Sequence, residues 1–286
     1  MDWAKERATW PYSQHSRFVL CKPHRWHIQD IGDGPLILLI HGAGSSTHTW
    51  QHVIPLLIQT HRVIAIDLPG QGFTQLGAQQ RCSLDAMAGD IINLCRNEGL
   101  QPDTIIGHSA GAAIALRISE LAPEFSQRII GINAALDTFK GVAGALFPFL
   151  AKAIAMMPFA TDLFRMRASK GNAIERIIAG TGSNLSTHDL DFYKRLVASQ
   201  THVNATLHMM AQWQLEPLIA RLPKNPISTL LIAGECDSAV PPSTSKKAAA
   251  RMLNARFASL PNLGHLAHEE KAGIVVTLIR DAFSDS

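Results

Sequence analysis

The hydrophobic pattern alternates between two periods along the first half of the chain. Residues 36–40 (LILLI) form a continuous apolar run, as a strand buried on both faces requires. The spacing predicts a helix over 46–59, a strand over 62–67 and a helix over 83–98 capped by Ser83. Strands follow at 104–106 and 128–133, with an Ala-rich helix over 110–121 between them. From 134 to 222 the pattern is helical throughout. The alternation then resumes with strands at 228–233 and 255–260 and helices at 242–253 and 269–283. Ahead of all this, 18–20 and 25–29 read as two antiparallel edge strands. Repeated strand–helix units imply a mostly parallel eight-stranded sheet with helices on both faces. The expected organisation is therefore one α/β core from 1–133 and 223–286, interrupted by a helical cap over 134–222.

Composition narrows the partners. Hydrophobic residues make up 47% of the 286 residues and charged ones 17%, which excludes a disordered polyelectrolyte. The net charge of +3 implies no nucleic-acid partner, because such proteins carry a concentrated basic face. No pair of Cys21, Cys82, Cys95 and Cys236 has metal or redox spacing, so buried or partly buried free thiols in a reducing cytoplasm are expected. No apolar run follows the charges of the N-terminus, which argues against export. The apolar stretch 141–161 is broken by Lys152, Pro148 and Pro158 and is too short to span a bilayer, although it offers a face for peripheral membrane contact.

The candidate chemistry lies at strand ends. Gly107-His108-Ser109-Ala110-Gly111 places a serine between a strand and a helix in the G-x-S-x-G pattern, whose glycines allow a sharp reversal that exposes the hydroxyl. A serine hydroxyl needs a base, and His265, just after the last strand, is the candidate, with His268 as the alternative. The base needs an acid to hold its tautomer. Asp237, after the strand over 228–233, fits; Asp137 and Glu235 are the alternatives. Two N–H donors are needed for an oxyanion. The expected pair is the amide of Ala110 and that of Ala43, in the small-residue loop His41-Gly42-Ala43-Gly44. His41 is expected to orient that loop and border the substrate pocket, with Met157, Met209 and Trp213 from the cap. Asp67-Leu68-Pro69-Gly70-Gln71-Gly72 reads as a turn bracing the site. The other histidines show no metal-ligand clustering, and no dinucleotide or phosphate loop is present, so no cofactor is implied.

Taken together, HGAG, DLPGQG, GHSAG, GECDSAVPP and LGH resemble the α/β-hydrolase superfamily over nearly the whole chain, in its order and spacing. Met1-Asp2-Trp3, Arg25-Trp26-His27, GHSAGAA, Met209-Met210-Ala211-Gln212-Trp213 and GHLAHEE further resemble the BchO-type magnesium-chelatase accessory proteins of bacteriochlorophyll synthesis. Gln71 departs from many relatives, which carry His or another residue there. The resemblance implies a role near magnesium insertion into a tetrapyrrole, magnesium chelatase as a partner, and a location in the cytoplasm or at the inner or photosynthetic membrane. The residues themselves imply a serine hydrolase with a hydrophobic carbonyl substrate. A non-catalytic, porphyrin-binding accessory and a carbon–carbon bond hydrolase are the alternatives. A dehalogenase or epoxide hydrolase would need Asp where Ser109 stands.

Overall fold

The computed structural model describes residues 1–77, 79–137 and 172–284. Its strands are β1 (Ser16–Cys21), β2 (His24–Ile31), β3 (Leu36–Ile40), β4 (Arg62–Ile66), β5 (Thr104–His108), β6 (Arg128–Ile132), β7 (Ser228–Gly234) and β8 (Ala255–Leu260). They form one eight-stranded sheet in the order β1-β2-β4-β3-β5-β6-β7-β8. From β4 to β8 every pairing is parallel, and β2 is antiparallel to both β1 and β4. The helices described are α1 (Trp3–Glu6), α2 (Ile54–Leu57), α3 (Leu84–Asn97), α4 (Ala110–Leu121), α5 (Ala173–Ala179), α6 (Thr187–Ala198), α7 (Gln200–Ala211), α8 (Glu216–Arg221), α9 (Pro242–Arg251), α10 (Ala267–Glu270) and α11 (Ala272–Ser284). This is the α/β-hydrolase fold anticipated from the sequence.

The period-two geometry of a strand explains why LILLI is apolar throughout. Leu36, Leu38 and Ile40 pack with Ile64, Ile66, Ile105 and Ile129 against α3 and α4. Ile37 and Leu39 face the other way, with Val63, Ala65, Ile106 and Ile130, toward α2 and α11. Each such fully buried side chain contributes about 1.5–3 kcal/mol. A third cluster, around Trp10, Phe73, Phe192, Tyr193 and Leu196, joins the N-terminal segment to α5 and α6.

Several expectations need correction at their edges. The helix predicted over 46–59 is a 3-10 turn (Thr47–Trp50) followed by the short α2. Pro55 has no N–H to return to the Gln51 carbonyl, and that carbonyl accepts the Tyr12 hydroxyl at 3.0 Å instead. The last helix is split at Lys271, whose backbone (φ −146°, ψ 63°) leaves the helical region. Cys82 and Cys95 are buried and Cys21 partly so, but Cys236 is exposed, because the turn after β7 directs its neighbour Asp237 inward. The expected N-cap of α3 is present: the Ser83 hydroxyl accepts the Ala86 N–H at 3.3 Å. Among the described residues no helix is long and apolar enough to cross a membrane. The 141–161 stretch and Met157 lie outside them.

Candidate active site

β3 lies between β4 and β5, so the chain leaves its end toward one side and returns on the other. That reversal opens a crevice beyond the carboxyl ends of the strands. Ser109 stands there, immediately after β5. Its φ of 52° and ψ of −115° lie outside the regions open to most residues, and its side chain does not cap α4. The conformation is held by backbone bonds on both sides. Ser109 N–H donates to the Ile132 carbonyl at 2.9 Å, and the Ser109 carbonyl accepts Ala135 N–H at 3.1 Å. The flanking glycines are required by contact. A Cβ on Gly107 would stand 2.4 Å from the Ala112 nitrogen, and one on Gly111 2.2 Å from the Ile40 carbonyl oxygen. Gly42 is crowded less severely: a Cβ there would stand 2.8 Å from His108 Nδ1 and 3.1 Å from the Ser109 Cβ.

His265 and Asp237 meet on adjacent loops. His265 Nδ1 and Asp237 Oδ2 are 2.8 Å apart, the carboxylate is fully buried, and the imidazole is 12% exposed. Asp237 is surrounded by donors. Asn133 Nδ2 donates to Oδ2 at 2.7 Å, and the Ala239 and Val240 N–H groups donate to Oδ1 at 2.9 and 2.8 Å. Since a carboxylate only accepts, Nδ1 carries the His265 proton and Nε2 is left as the basic nitrogen. The alternatives point elsewhere. His268 is fully buried and its Nε2 lies 2.8 Å from the Thr49 hydroxyl. Glu235 accepts the Ser259 hydroxyl, and no described bond joins Asp137 to His265.

Asn133 escaped the sequence reading. It follows β6 directly, as Ser109 follows β5 and Asp237 closes the turn after β7, and that register is the signal that marks it. Its φ of 48° turns its side chain onto Asp237 and the Gly264 carbonyl.

The loop after β3 is held from below. Leu68 N–H donates to His41 Nε2 at 2.9 Å, so Nδ1 carries the proton and donates to the Gly42 carbonyl at 2.7 Å. His41 is fully buried, and burial lowers its pKa. It therefore supports the loop from beneath and has no open surface of its own. Ala110 is the first residue of α4, so its N–H has no partner within the helix. Met209 is 1% exposed and its sulfur accepts a bond from Gln71, while Trp213 is half-buried against the core. Asp67 anchors the 67–72 turn. Burial alone would raise its pKa, but the charge and bond of His27, with the Phe73 N–H, hold it down at about 2.

The segment between β6 and β7 also grips the loops that carry His265 and Asp237. The Thr181 carbonyl accepts both Ser238 N–H (3.2 Å) and His265 N–H (3.3 Å). Ser183 Oγ accepts Leu266 N–H at 2.8 Å. Gly182 fits so closely that a Cβ would stand 1.8 Å from the Cys236 carbonyl oxygen.

Behind His265 lies a buried polar layer. His108 donates from Nε2 to the His265 carbonyl at 2.9 Å, and its ring centre lies 4.5 Å from that of His268, the planes tilted by 43°. Burial, then repulsion from His268 and His265, keeps His108 neutral. Glu269 accepts the Thr49 and Tyr193 hydroxyls on Oε1, and its Oε2 is buried without a partner. Burial pushes its pKa up to about 8. The folded state thus retains a proton that the unfolded chain releases near the ordinary carboxylate value, and stability falls as pH rises between the two. Glu269→Gln is expected to gain on the wild type by about 2–4 kcal/mol between pH 5 and pH 8. Urea unfolding at the two pH values checks this; an equal difference at both contradicts it.

Residues 37–278 match the Alpha/beta hydrolase family. The magnesium-chelatase 30 kDa subunit of Rhodobacter capsulatus is 40% identical over 283 residues, covering 98% of this chain and 99% of that protein. Among solved structures, the epoxide hydrolase CorEH without ligand superposes with a TM-score of 0.80 at 21% identity, covering 94% of this chain and 98% of that one. An alpha/beta hydrolase fold protein from Burkholderia ambifaria does so with a TM-score of 0.78 at 22% identity, covering 93% and 97%. At these identities the two structures speak to the fold alone.

Proposed function

The chain belongs to the alpha/beta hydrolase family, and from that membership and the site geometry we propose that it is a serine hydrolase acting on a hydrophobic ester or related carbonyl compound. Ser109 Oγ attacks the carbonyl carbon while His265 Nε2 takes its proton. Asp237 holds the Nδ1–H tautomer and stabilises the imidazolium. The amides of Ala43 and Ala110 receive the oxyanion. His265 returns the proton to the leaving group, and water, activated by the same nitrogen, releases the acid.

The observation that carries this reading is the donor-saturated Asp237 beside His265, on loops flanking the strained Ser109 turn. An acid whose oxygens both meet donors and a base with one free nitrogen suit acyl transfer. Residues 134–222 act as the cap, whose Met and Phe content suits an apolar substrate. The Rhodobacter capsulatus relative, a magnesium-chelatase subunit by its name, favours work beside magnesium chelatase; the motif resemblance adds a tetrapyrrole-related compound and a place in the cytoplasm or at the inner or photosynthetic membrane.

A fluorophosphonate probe is expected to label the folded protein at Ser109 and to leave Ser109→Ala unlabelled. Absence of labelling contradicts hydrolase chemistry. The relative's name supports a second reading, a non-catalytic chelatase accessory. Complementation separates the two. If Ser109→Ala restores pigment to a strain lacking the relative, the pathway role is non-catalytic; if only the wild type does so at equal protein level, catalysis is required.

A further inference from the structure

We propose that His202, on α7, is a positioning residue of the oxyanion loop, fixing Gly44 and through it the Ala43 N–H from the cap side. The inference rests on the hydrolase reading above. Gly72 N–H donates to His202 Nδ1 at 3.0 Å, so Nε2 carries the proton and donates to the Gly44 carbonyl at 3.2 Å. One ring thus joins the loop after β3 to the 67–72 turn. The residue is 2% exposed, and burial pushes its pKa down to about 3, so it stays neutral with both roles fixed. The N–H of Gly44 is held separately: it donates to Gln71 Oε1 at 2.7 Å. Gln71 in turn donates from Nε2 to Met209 Sδ at 3.3 Å.

These contacts follow one face of α7. His202, Ala205, Thr206 and Met209 recur at helical spacing. A Cβ on Gly70 would stand 2.5 Å from Ala205 Cβ, and one on Gly44 3.5 Å from Thr206 Cγ2. Gly44 has φ +77°, so its conformation, more than the space around it, calls for glycine.

Three consecutive peptide planes are pinned as a result. His41 holds the Gly42 carbonyl, Gln71 the Gly44 N–H and His202 the Gly44 carbonyl. Because a trans peptide is planar, fixing the Gly42 carbonyl aims the Ala43 N–H the opposite way. The next two planes keep that peptide from rotating. An oxyanion donor acts through preorganisation, so its value depends on this restraint.

The test uses two substitutions. His202→Leu keeps bulk and removes both bonds; His202→Gln offers a carboxamide oxygen and nitrogen at nearly the spacing of the two ring nitrogens. With 4-nitrophenyl butyrate, His202→Leu is expected to lower kcat about 10–100-fold, short of full loss of a donor, with KM within about two-fold. His202→Gln is expected to recover most of kcat. Amide hydrogen exchange over residues 42–46 is expected to quicken in the leucine variant and not in the glutamine one. If His202→Leu does not fold, Gln71→Met, which removes the partner of the Gly44 N–H, is expected to give the same kcat loss and faster exchange.

A leucine variant with wild-type kcat and exchange overturns the proposal. So does a loss carried by KM, or one that glutamine does not rescue. If the wild type neither turns over the ester nor labels at Ser109, the hydrolase reading falls and this inference with it. If the wild type does both and the variants match it, only the role of His202 falls.

Discussion

Asp237→Asn is expected to lower kcat by about 10⁴-fold, with KM little changed and the fold intact. The reason is that all four partners of the carboxylate are donors: His265 Nδ1, Asn133 Nδ2 and the N–H groups of Ala239 and Val240. An asparagine must turn an NH₂ toward one pair of them. The two backbone N–H groups cannot change, so the NH₂ faces His265 and Asn133. Asn133 can reverse its amide only by giving up its 3.3 Å bond to the Gly264 carbonyl. His265 can comply only by moving its proton to Nε2, the nitrogen that must accept from Ser109. The site then holds the wrong tautomer in nearly the right place. Ester kinetics on purified protein check this, with Asp137→Asn expected to behave as wild type. Equal losses in the two variants contradict the assignment of Asp237.

Gly111→Ala is expected to remove soluble protein, at a cost above about 4 kcal/mol. Its Cβ would stand 2.2 Å from the Ile40 carbonyl oxygen and 2.7 Å from that of His41. Both obstacles are backbone at the end of β3, the buried centre of the sheet, and no side chain can rotate away. Relief requires α4 to lift from the sheet and give up packing by Ala112, Ala113 and Leu116, all fully buried. Gly89→Ala is the matched comparison. It lies within α3, nothing is within 4 Å of its added Cβ, and the variant is expected to gain about 0.5–1 kcal/mol from helix propensity. Soluble yield and urea midpoints for the pair decide the matter; a folded Gly111→Ala of wild-type midpoint contradicts it.

Much of the architecture was written in short local patterns. Leu36–Ile40 and Ala255–Leu260 have the limits that their apolar runs and flanking turns suggested, as does Ala110–Leu121. Ser109, Asp237 and His265 are legible as candidates because each follows a strand, and a parallel sheet gathers strand ends at one edge. Local reading failed where a distant partner decides. Residues 46–59 carry helical spacing, yet Pro55, which cannot donate to the Gln51 carbonyl that Tyr12 satisfies, divides them into a 3-10 turn and a short helix. Asn133 acts on a residue 104 positions away, and His202 on backbone groups 130 and 158 positions away. His202 carries no motif, because a side chain that bonds backbone atoms imposes no residue type on its partners, and Asn133 meets the Asp237 side chain only once the sheet has formed. The interior of the cap was legible only as composition, and Met157 with its neighbours lies outside the described residues.

The Thr181 carbonyl, shared by the amides of Ser238 and His265, bears on how such a protein can diverge. Substrate preference in a two-part enzyme is easily exchanged when the variable part only covers the reaction centre. Here the residues that follow α5 are part of what holds the loops of Asp237 and His265 in register. Under the hydrolase reading proposed above, transplanting a foreign cap would remove those supports along with the old specificity, and new substrates would be more accessible through substitutions within the chain's own cap than through wholesale recombination.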